Sequence, residues 1–299
     1  MNGLRCGFFM LLASLLVLEW PVLAAPRAVP SVRIAGSWKT LSRTQISAWA
    51  RSAAEQVKRY YGRFPAPEAE ISIQAEEGSS AIHARTFGGR FIRVSLGVEA
   101  SARDLRRDWV MVHEMVHLSF PELGDDYAWM EEGLATYLEP IIRARAGVLP
   151  EDEFWEGVVQ GMPHGEPQPG DRGLDRTHTW GRTYWGGALY WLTCDLEIRE
   201  ATGNGKSLDD VLRAILDQGG DGAHTWTLEK VFATAKQATG LDSLRTLHAR
   251  YGLRSEGVDL DALSKRLGIV VAGRRLRFDD GAPLASIRRS ITRGGSAPP

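Results

Sequence analysis

His113-Glu114-Met115-Val116-His117 is the stretch of this 299-residue sequence that decides the fold. It lies in a segment with helical periodicity, and side chains four residues apart on a helix project from one face. Both imidazoles can therefore reach one metal ion, with Glu114 placed to act on a metal-bound water. Since the chain has seven histidines, chance alone would produce this H-E-x-x-H pattern on the order of once in a hundred such sequences. The pattern predicts a zinc hydrolase, with coincidence as the alternative.

An acidic pair downstream offers the third ligand that such a site needs. Catalytic zinc is held by three protein side chains, and a fourth position stays open to water. Glu131 and Glu132 lie on a second predicted helix. Only one of them can face the ion, because adjacent helical residues point about 100° apart. The spacing by itself favours neither strongly.

The N-terminal sequence predicts export. Arg5 precedes an apolar run from Phe8 to Leu18, and small residues suited to signal-peptidase cleavage follow at 22–25. The run is too short for an ordinary membrane span. We expect residues 1–24 to be a signal peptide whose removal leaves a periplasmic or secreted protein with no stable membrane span. An uncleaved N-terminal anchor is the alternative.

Composition narrows the class of protein further. The formal net charge is −1, which gives no indication of nucleic-acid binding. Cys6 belongs to the predicted signal peptide, so Cys194 has no intramolecular disulfide partner and stability must come from a packed core. Residues 274–299 carry six arginines against Asp279 and Asp280. We expect a solvated surface there, with a docking surface for an anionic partner as the alternative. The oligomeric state stays open.

Hydrophobic periodicity predicts an α+β fold in three regions. Residues 25–101 form a small mixed α/β lobe, residues 102–252 a helical zinc-binding catalytic lobe, and residues 253–299 a C-terminal helix, a small hairpin and a basic tail. Helices are predicted at 42–63, 102–119, 127–146, 151–161, 182–201, 207–218, 227–239, 241–251 and 259–267, and strands at 71–74 and 90–96. A Gly-, Pro- and His-rich loop at 161–181 is long enough to be functional.

The motif and the segments after it resemble the gluzincins, zinc metallopeptidases with a thermolysin-like catalytic lobe. Glu132-Gly133-Leu134-Ala135-Thr136-Tyr137 fits the E-G-x-A-x-Y helix that follows H-E-x-x-H in that group. The segments 184–189 and 194–199, and the helix start at 207–212, are most similar to the glycyl aminopeptidase family and related peptidase MA-like domains. The resemblance covers about residues 108–216 and implies a thermolysin-like zincin core.

This resemblance assigns roles to individual residues. It implies one Zn2+ per chain, held by His113, His117 and Glu132, with Glu114 as the general base. Tyr184 matches the tyrosine that stabilises the tetrahedral intermediate. The implied partner is a peptide or protein substrate.

The sequence departs from the family pattern in three places. Fourteen residues separate His117 from Glu132, fewer than in the alanyl aminopeptidase branch. Gly186 stands where the Y-x-K-G segment has lysine, and no G-x-M-E-N segment occurs upstream to anchor a substrate's amino terminus. Endopeptidase and aminopeptidase modes therefore both stay open.

Several residues around the motif have two interpretations each. Glu139 lies on the same helical face as Glu132 and is either the outer partner of a ligand histidine or a salt-bridge residue near Pro140. His164 and His178 are expected at the rim, with substrate contact by His178 as the alternative. The strand at 90–96 is expected to be the edge strand on which an extended peptide pairs.

Three hypotheses of function follow from these residues. The leading one is an exported zinc-dependent peptidase that uses metal-activated water. A catalytically silent peptide-binding protein on the same fold is the second. The third is a hydrolase of a non-peptide amide or ester.

Overall fold

The computed structural model describes residues 29–273 and 275–294. The predicted signal peptide, residues 1–24, lies outside these residues and stays a prediction. None of the helices in the described part combines the length and the apolar character that a membrane-spanning segment requires.

A four-stranded sheet and one long helix make up the N-terminal part. Its elements are β1 (Ser31–Ala35), α1 (Arg43–Tyr61), β2 (Glu70–Glu76), β3 (Ile82–Phe87) and β4 (Phe91–Gly97). The strand order is β1-β2-β4-β3, with β1, β2 and β4 parallel and β3 antiparallel to β4. The side chain of Ser42 caps the start of α1, and Gly62 ends the helix in the left-handed region.

The edge strand beside the motif helix is β3, so the expectation that residues 90–96 form it was wrong. β4 lies between β2 and β3. Gly88 and Gly89 have φ values of 51° and 59°, which fold the chain back tightly enough for β3 to pair along β4. The buried residues of β2 and β4 are entirely apolar, which is typical of internal strands: Ile71, Ile73, Ile92, Val94 and Leu96.

The remainder is mainly helical, so the predicted α+β fold class is confirmed. Its helices are α2 (Ala102–Arg107), α3 (Val110–Val116), α4 (Ala128–Arg145), α5 (Glu151–Gly161), α6 (Gly187–Ala201), α7 (Leu208–Asp217), α8 (Leu228–Thr239), α9 (Ser243–Leu247), α10 (Leu260–Leu267) and α11 (Ala285–Arg293). A hairpin of β5 (Ile269–Ala272) and β6 (Arg275–Phe278) separates α10 from α11. Two π-helical turns occur, at Gly181–Gly186 and His248–Gly252.

The helix predicted at 102–119 is divided into α2 and α3. Asp108 adopts an extended conformation between them. Its carboxylate accepts hydrogen bonds from the backbone N–H groups of Val110 and Met111, both at 3.1 Å. These are N–H groups that the start of a helix leaves without a partner, so Asp108 begins α3 afresh. The histidine motif thus begins in the short helix α3 and ends with His117 in the turn that follows it.

Two glycines set the distance between α4 and α6. A Cβ on Gly133 would lie 2.4 Å from the backbone of Gly187, and a Cβ on Gly187 would lie 2.1 Å from the carbonyl oxygen of Trp129. Neither position can hold a larger residue without moving a backbone. This contact brings α4 against the π-helical turn that precedes α6.

A buried carboxylate fastens three helices behind this crossing. Asp195 on α6 accepts hydrogen bonds from the Tyr137 hydroxyl on α4 at 2.9 Å and from the Leu208 N–H at the start of α7 at 2.8 Å. The Arg199 guanidinium pairs with the same carboxylate at 2.9 Å. These contacts therefore hold α4, α6 and the start of α7 together behind the motif.

The C-terminal arginines do not all lie on a solvated surface, as the sequence suggested. Arg288 on α11 is 1% exposed and lies 4.5 Å over the ring of Phe278. Its guanidinium donates to the Leu267 carbonyl at 2.9 Å and to Asp280 at 2.6 Å. Burial is tolerated because backbone carbonyls and a carboxylate accept hydrogen bonds from its two terminal nitrogens. The same helix packs on α4, where Arg145 donates to the Ile291 carbonyl at 2.9 Å.

Candidate metal centre

Three side chains from α3, the turn after it and α4 converge on one point. The Nε2 atoms of His113 and His117 lie 3.2 Å and 3.5 Å from Oε2 of Glu132. One donor atom from each of the three residues lies within 4.8 Å of the others. Two imidazoles and one carboxylate are a donor set that catalytic zinc uses. The structure thus brings together the three residues that the sequence suggested as ligands.

The neighbouring Glu131 faces away from this cluster. Its Oε1 accepts a hydrogen bond from the Leu123 N–H at 3.0 Å, which fixes the short loop after α3. The two adjacent carboxylates therefore have separate partners. The geometry thus indicates Glu132 as the candidate ligand, whereas the spacing in the sequence favoured neither residue strongly.

The charges in the cluster reinforce one another. Burial raises the pKa of Glu132, but hydrogen bonds to His113 and His117 outweigh it and hold that pKa far below its usual range. Burial lowers the pKa of His117, yet the hydrogen bond and charge of Glu132 leave it above its usual value. The carboxylate of Glu132 thus lies against both imidazoles, in a position where all three groups could bind one divalent cation.

Glu114 points toward the edge strand of the sheet. It is 8% exposed, and its Oε2 accepts a hydrogen bond from the Thr86 hydroxyl on β3 at 2.8 Å. The same hydroxyl lies 2.9 Å from the backbone carbonyl of Glu114. Sequence reasoning missed Thr86, although its place in the alternating pattern of β3 sets it on the face toward α3. The carboxylate is held beside the cluster and is not one of the three converging groups.

Tyr184 lies on the other side of His113. The two rings stack at a centroid separation of 6.4 Å and an angle of 21°. Burial, followed by the charges of Glu132 and Glu114, raises the pKa of the tyrosine, so its hydroxyl keeps its proton at neutral pH. The residue sits in the π-helical turn Gly181–Gly186, a local widening often found at functional sites.

The loop at 161–181 contributes an aromatic surface beside Tyr184. Trp180 is 62% exposed and stacks on Tyr184 with a ring-centroid separation of 6.2 Å. The ring of His164 lies edge-on to Trp180, with a centroid separation of 5.8 Å. His178, considered earlier for substrate contact, is exposed and forms no contact that joins it to the cluster among the described residues. The side chains that the loop brings to the site are thus Trp180 and His164.

Buried polar contacts anchor this loop. Asp171 forms an ion pair with Arg182 at 2.8 Å. Asp175 accepts a hydrogen bond from Trp129 at 3.0 Å and lies 2.9 Å from Nε2 of His248. The loop is therefore fastened to α4 and to the second π-helical turn.

Of the two interpretations of Glu139, the structure supports the salt bridge. It accepts a hydrogen bond from Arg143 at 2.8 Å, and both side chains are buried. No hydrogen bond joins it to His113 or His117 within the part of the chain that the structure describes. Burial raises its pKa to about 7, although the nearby guanidinium opposes the shift. Glu139 is thus a buried, ion-paired carboxylate near the centre.

Solved structures of metallopeptidases have a fold similar to that of this chain. An aminopeptidase N family protein from Idiomarina loihiensis matches 80% of this chain and 47% of its own, with a TM-score of 0.61 and 15% identity. The chain shares its fold with this aminopeptidase N family protein. A variant of a two-domain M1 zinc metallopeptidase bound to L-tryptophan matches 73% of this chain and 46% of its own, with a TM-score of 0.50 and 15% identity.

The gluzincin resemblance seen in the motifs is thereby confirmed at the level of the fold. The chain spans less than half the length of each of these two structures. No protein-family model matches the sequence, and no curated protein does.

Proposed function

We propose that this protein is an exported, zinc-dependent peptidase that hydrolyses peptide bonds of a peptide or protein substrate. The observation that carries the proposal is the convergence of His113 and His117 on Glu132, with Glu114 and Tyr184 on either side. A bound zinc ion would lower the pKa of a water ligand toward neutrality and polarise the scissile carbonyl. His113, His117 and Glu132 would hold that ion and leave a fourth position open.

The reacting protons are handled by the chain's own side chains. Glu114 accepts a proton from the attacking water and later gives it to the leaving amine. The hydrogen bond from Thr86 keeps the carboxylate in one orientation during both transfers. The protonated hydroxyl of Tyr184 donates a hydrogen bond to the oxygen on which negative charge develops.

The exposed edge of β3 is the natural place for the substrate backbone. Among the described residues β3 pairs with β4 alone, and Thr86 on this strand touches the proposed general base, Glu114. An extended peptide that pairs along the free edge would pass directly beside Glu114. This arrangement suits peptides and proteins better than small amides or esters.

Two pairs of variants test the proposal. Glu132→Gln should lose stoichiometric zinc, whereas Glu131→Gln should keep it, because only Glu132 belongs to the cluster; metal content is measured by mass spectrometry. Glu114→Gln should keep zinc but lose hydrolysis of a broad peptide library by about a thousandfold or more.

Retained turnover in Glu114→Gln contradicts the role of the general base. A zinc-loaded wild type that cleaves no peptide supports the catalytically silent binding protein instead. Cleavage-site profiling distinguishes internal cuts from terminal trimming and so settles the mode.

A further inference from the structure

A cavity of about 450 Å³ opens beside the metal centre. Its lining includes His113 of the cluster and Tyr184, which stacks on His113. The volume lies within the usual range for a ligand pocket. A substrate bound at the cluster would therefore have one of its groups directed into this space.

We propose that the cavity accepts a large aromatic side chain of the residue on one side of the scissile bond, and that Gly157 makes room for it. This inference rests on the proposed function, because it names the class of peptide that the centre cleaves.

The walls of the cavity are rich in aromatic rings. Residues from four separate segments contribute them: Trp109, Tyr137, Phe154, Trp180, Tyr184 and Trp185. Trp109 is 51% exposed and packs edge to face on His113, with a ring-centroid separation of 5.5 Å. Trp180 is 62% exposed. Exposed tryptophans that flank one cavity leave apolar surface that an inserted aromatic ring would cover, with both stacked and edge-to-face contacts available.

Gly157 has no structural reason to lack a side chain. It lies inside α5, where glycine lowers helix stability by about 0.5–1 kcal/mol relative to alanine. A Cβ at this position would meet no atom within 4 Å, and its φ is not in the left-handed region. Since it lines the cavity, the effect of this glycine is to leave the space beside Val158 and Phe154 open.

The charge of the cavity also favours an uncharged occupant. Glu139 is the buried carboxylate of the lining, and its charge is offset by Arg143 at 2.8 Å. Glu153 is exposed at the surface, where water screens its charge. No uncompensated buried charge in the described lining calls for a basic side chain.

The test compares Gly157→Phe with Gln160→Phe in the full-length, zinc-loaded protein. The control places the same ring on the same helix at an exposed position outside the cavity. Cleavage-site profiles should show aromatic residues enriched at one position next to the bond in wild type and in Gln160→Phe. Gly157→Phe should lower kcat/KM for such peptides by about tenfold or more and shift the preference toward small residues. The kcat/KM of Gly157→Ala for these peptides should lie between the values of wild type and Gly157→Phe.

Binding provides a second readout that does not depend on turnover. Matched hexapeptides with Phe or Ala at the preferred position, or at each position in turn, are titrated into zinc-loaded Glu114→Gln protein while tryptophan fluorescence is followed. The Phe peptide should bind about tenfold more tightly, and Gly157→Phe added to this protein should remove the difference.

The outcomes separate this inference from the proposed function. Hydrolysis by wild type with no aromatic preference, or a preference for basic residues, overturns the pocket and leaves the peptidase intact. Equal effects of Gly157→Phe and Gln160→Phe also overturn it. Absence of hydrolysis overturns the function, and the binding comparison then decides on the pocket alone. Thermal unfolding checks that each variant is folded.

Discussion

At the scale of single residues, the Thr86 hydroxyl holds Glu114, the proposed general base. We expect Thr86→Val to lower kcat by about tenfold while KM and zinc content stay close to wild type, because the variant removes only the hydrogen bond to Glu114. Thr86→Ser keeps the hydroxyl and should restore the rate. Steady-state kinetics on a single peptide measure both. A parallel loss in Thr86→Ser, or a rise in KM alone, would argue that residue 86 only shapes the strand.

Glu139 makes folding stability depend on pH. Burial raises its pKa to about 7, above an ordinary value of 4.5. A carboxyl group whose pKa is higher in the folded state stabilises the fold while it is protonated, and this contribution is lost as the pH rises from 4.5 through about 7. The Gln variant cannot titrate at this position.

We therefore compare wild type with Glu139→Gln in chemical denaturation. The free energy of unfolding of wild type, relative to the variant, should fall by about 2–3 kcal/mol between about pH 5 and about pH 8. Both proteins are studied without metal, so that zinc release does not enter the comparison. Parallel pH profiles for the two proteins would contradict the raised pKa.

The sequence was sufficient to predict which residues come together at the site, but not which residues hold them in place. His113, Glu114 and His117 follow from helix geometry, and the resemblance selected Glu132. Thr86 and Arg143 could not be found in that way, because their roles depend on which strand lies at the edge and on what α4 buries. Contacts between segments far apart in the chain leave little local signal.

At the scale of elements, the glycine contact between α4 and α6 should be intolerant of a methyl group. Gly187→Ala should lower the free energy of unfolding by about 1–3 kcal/mol or more, because its Cβ would lie 2.1 Å from the Trp129 carbonyl. Zinc affinity should fall as well, since Glu132 sits on the displaced helix.

Gly157→Ala is the matched control for this substitution. It also replaces a helical glycine, but nothing lies within 4 Å of the new methyl group. It should raise stability by about 0.5–1 kcal/mol. Urea denaturation of both variants measures the contrast, and similar effects of the two substitutions would refute close packing as the reason for Gly187.

The accuracy of the predicted elements followed the strength of their local signals. α1 and α5 have clear helical periodicity and were predicted within two residues of their bounds. The break at Asp108 and the π-helical turn around Tyr184 were missed, because periodicity alone does not distinguish them from continuous helix. Helix α11 was missed because its arginines suggested a solvated surface, whereas Arg288 is buried.

At the scale of the whole molecule, a metal ion at this cluster would join the short helix α3 to α4. Zinc at about a thousand times its Kd should add about 4 kcal/mol to the free energy of unfolding, since the unfolded chain has no preformed site. Chelation should lower the Tm by a corresponding amount. Glu132→Gln should show no such difference between metal-loaded and chelated protein, and an equal shift in that variant would indicate binding elsewhere.

The placement of α11 affects when the centre can form during synthesis. α11 packs on α4 through the Ile291 carbonyl and Arg145, and α4 carries Glu132. More than a hundred residues of chain separate Glu132 from α11. The ribosome therefore synthesises Glu132 long before α11, the helix that packs on α4. A nascent chain therefore has the motif but not its full support. The cluster therefore reaches its full packing support only after α11 has been synthesised and has packed on α4.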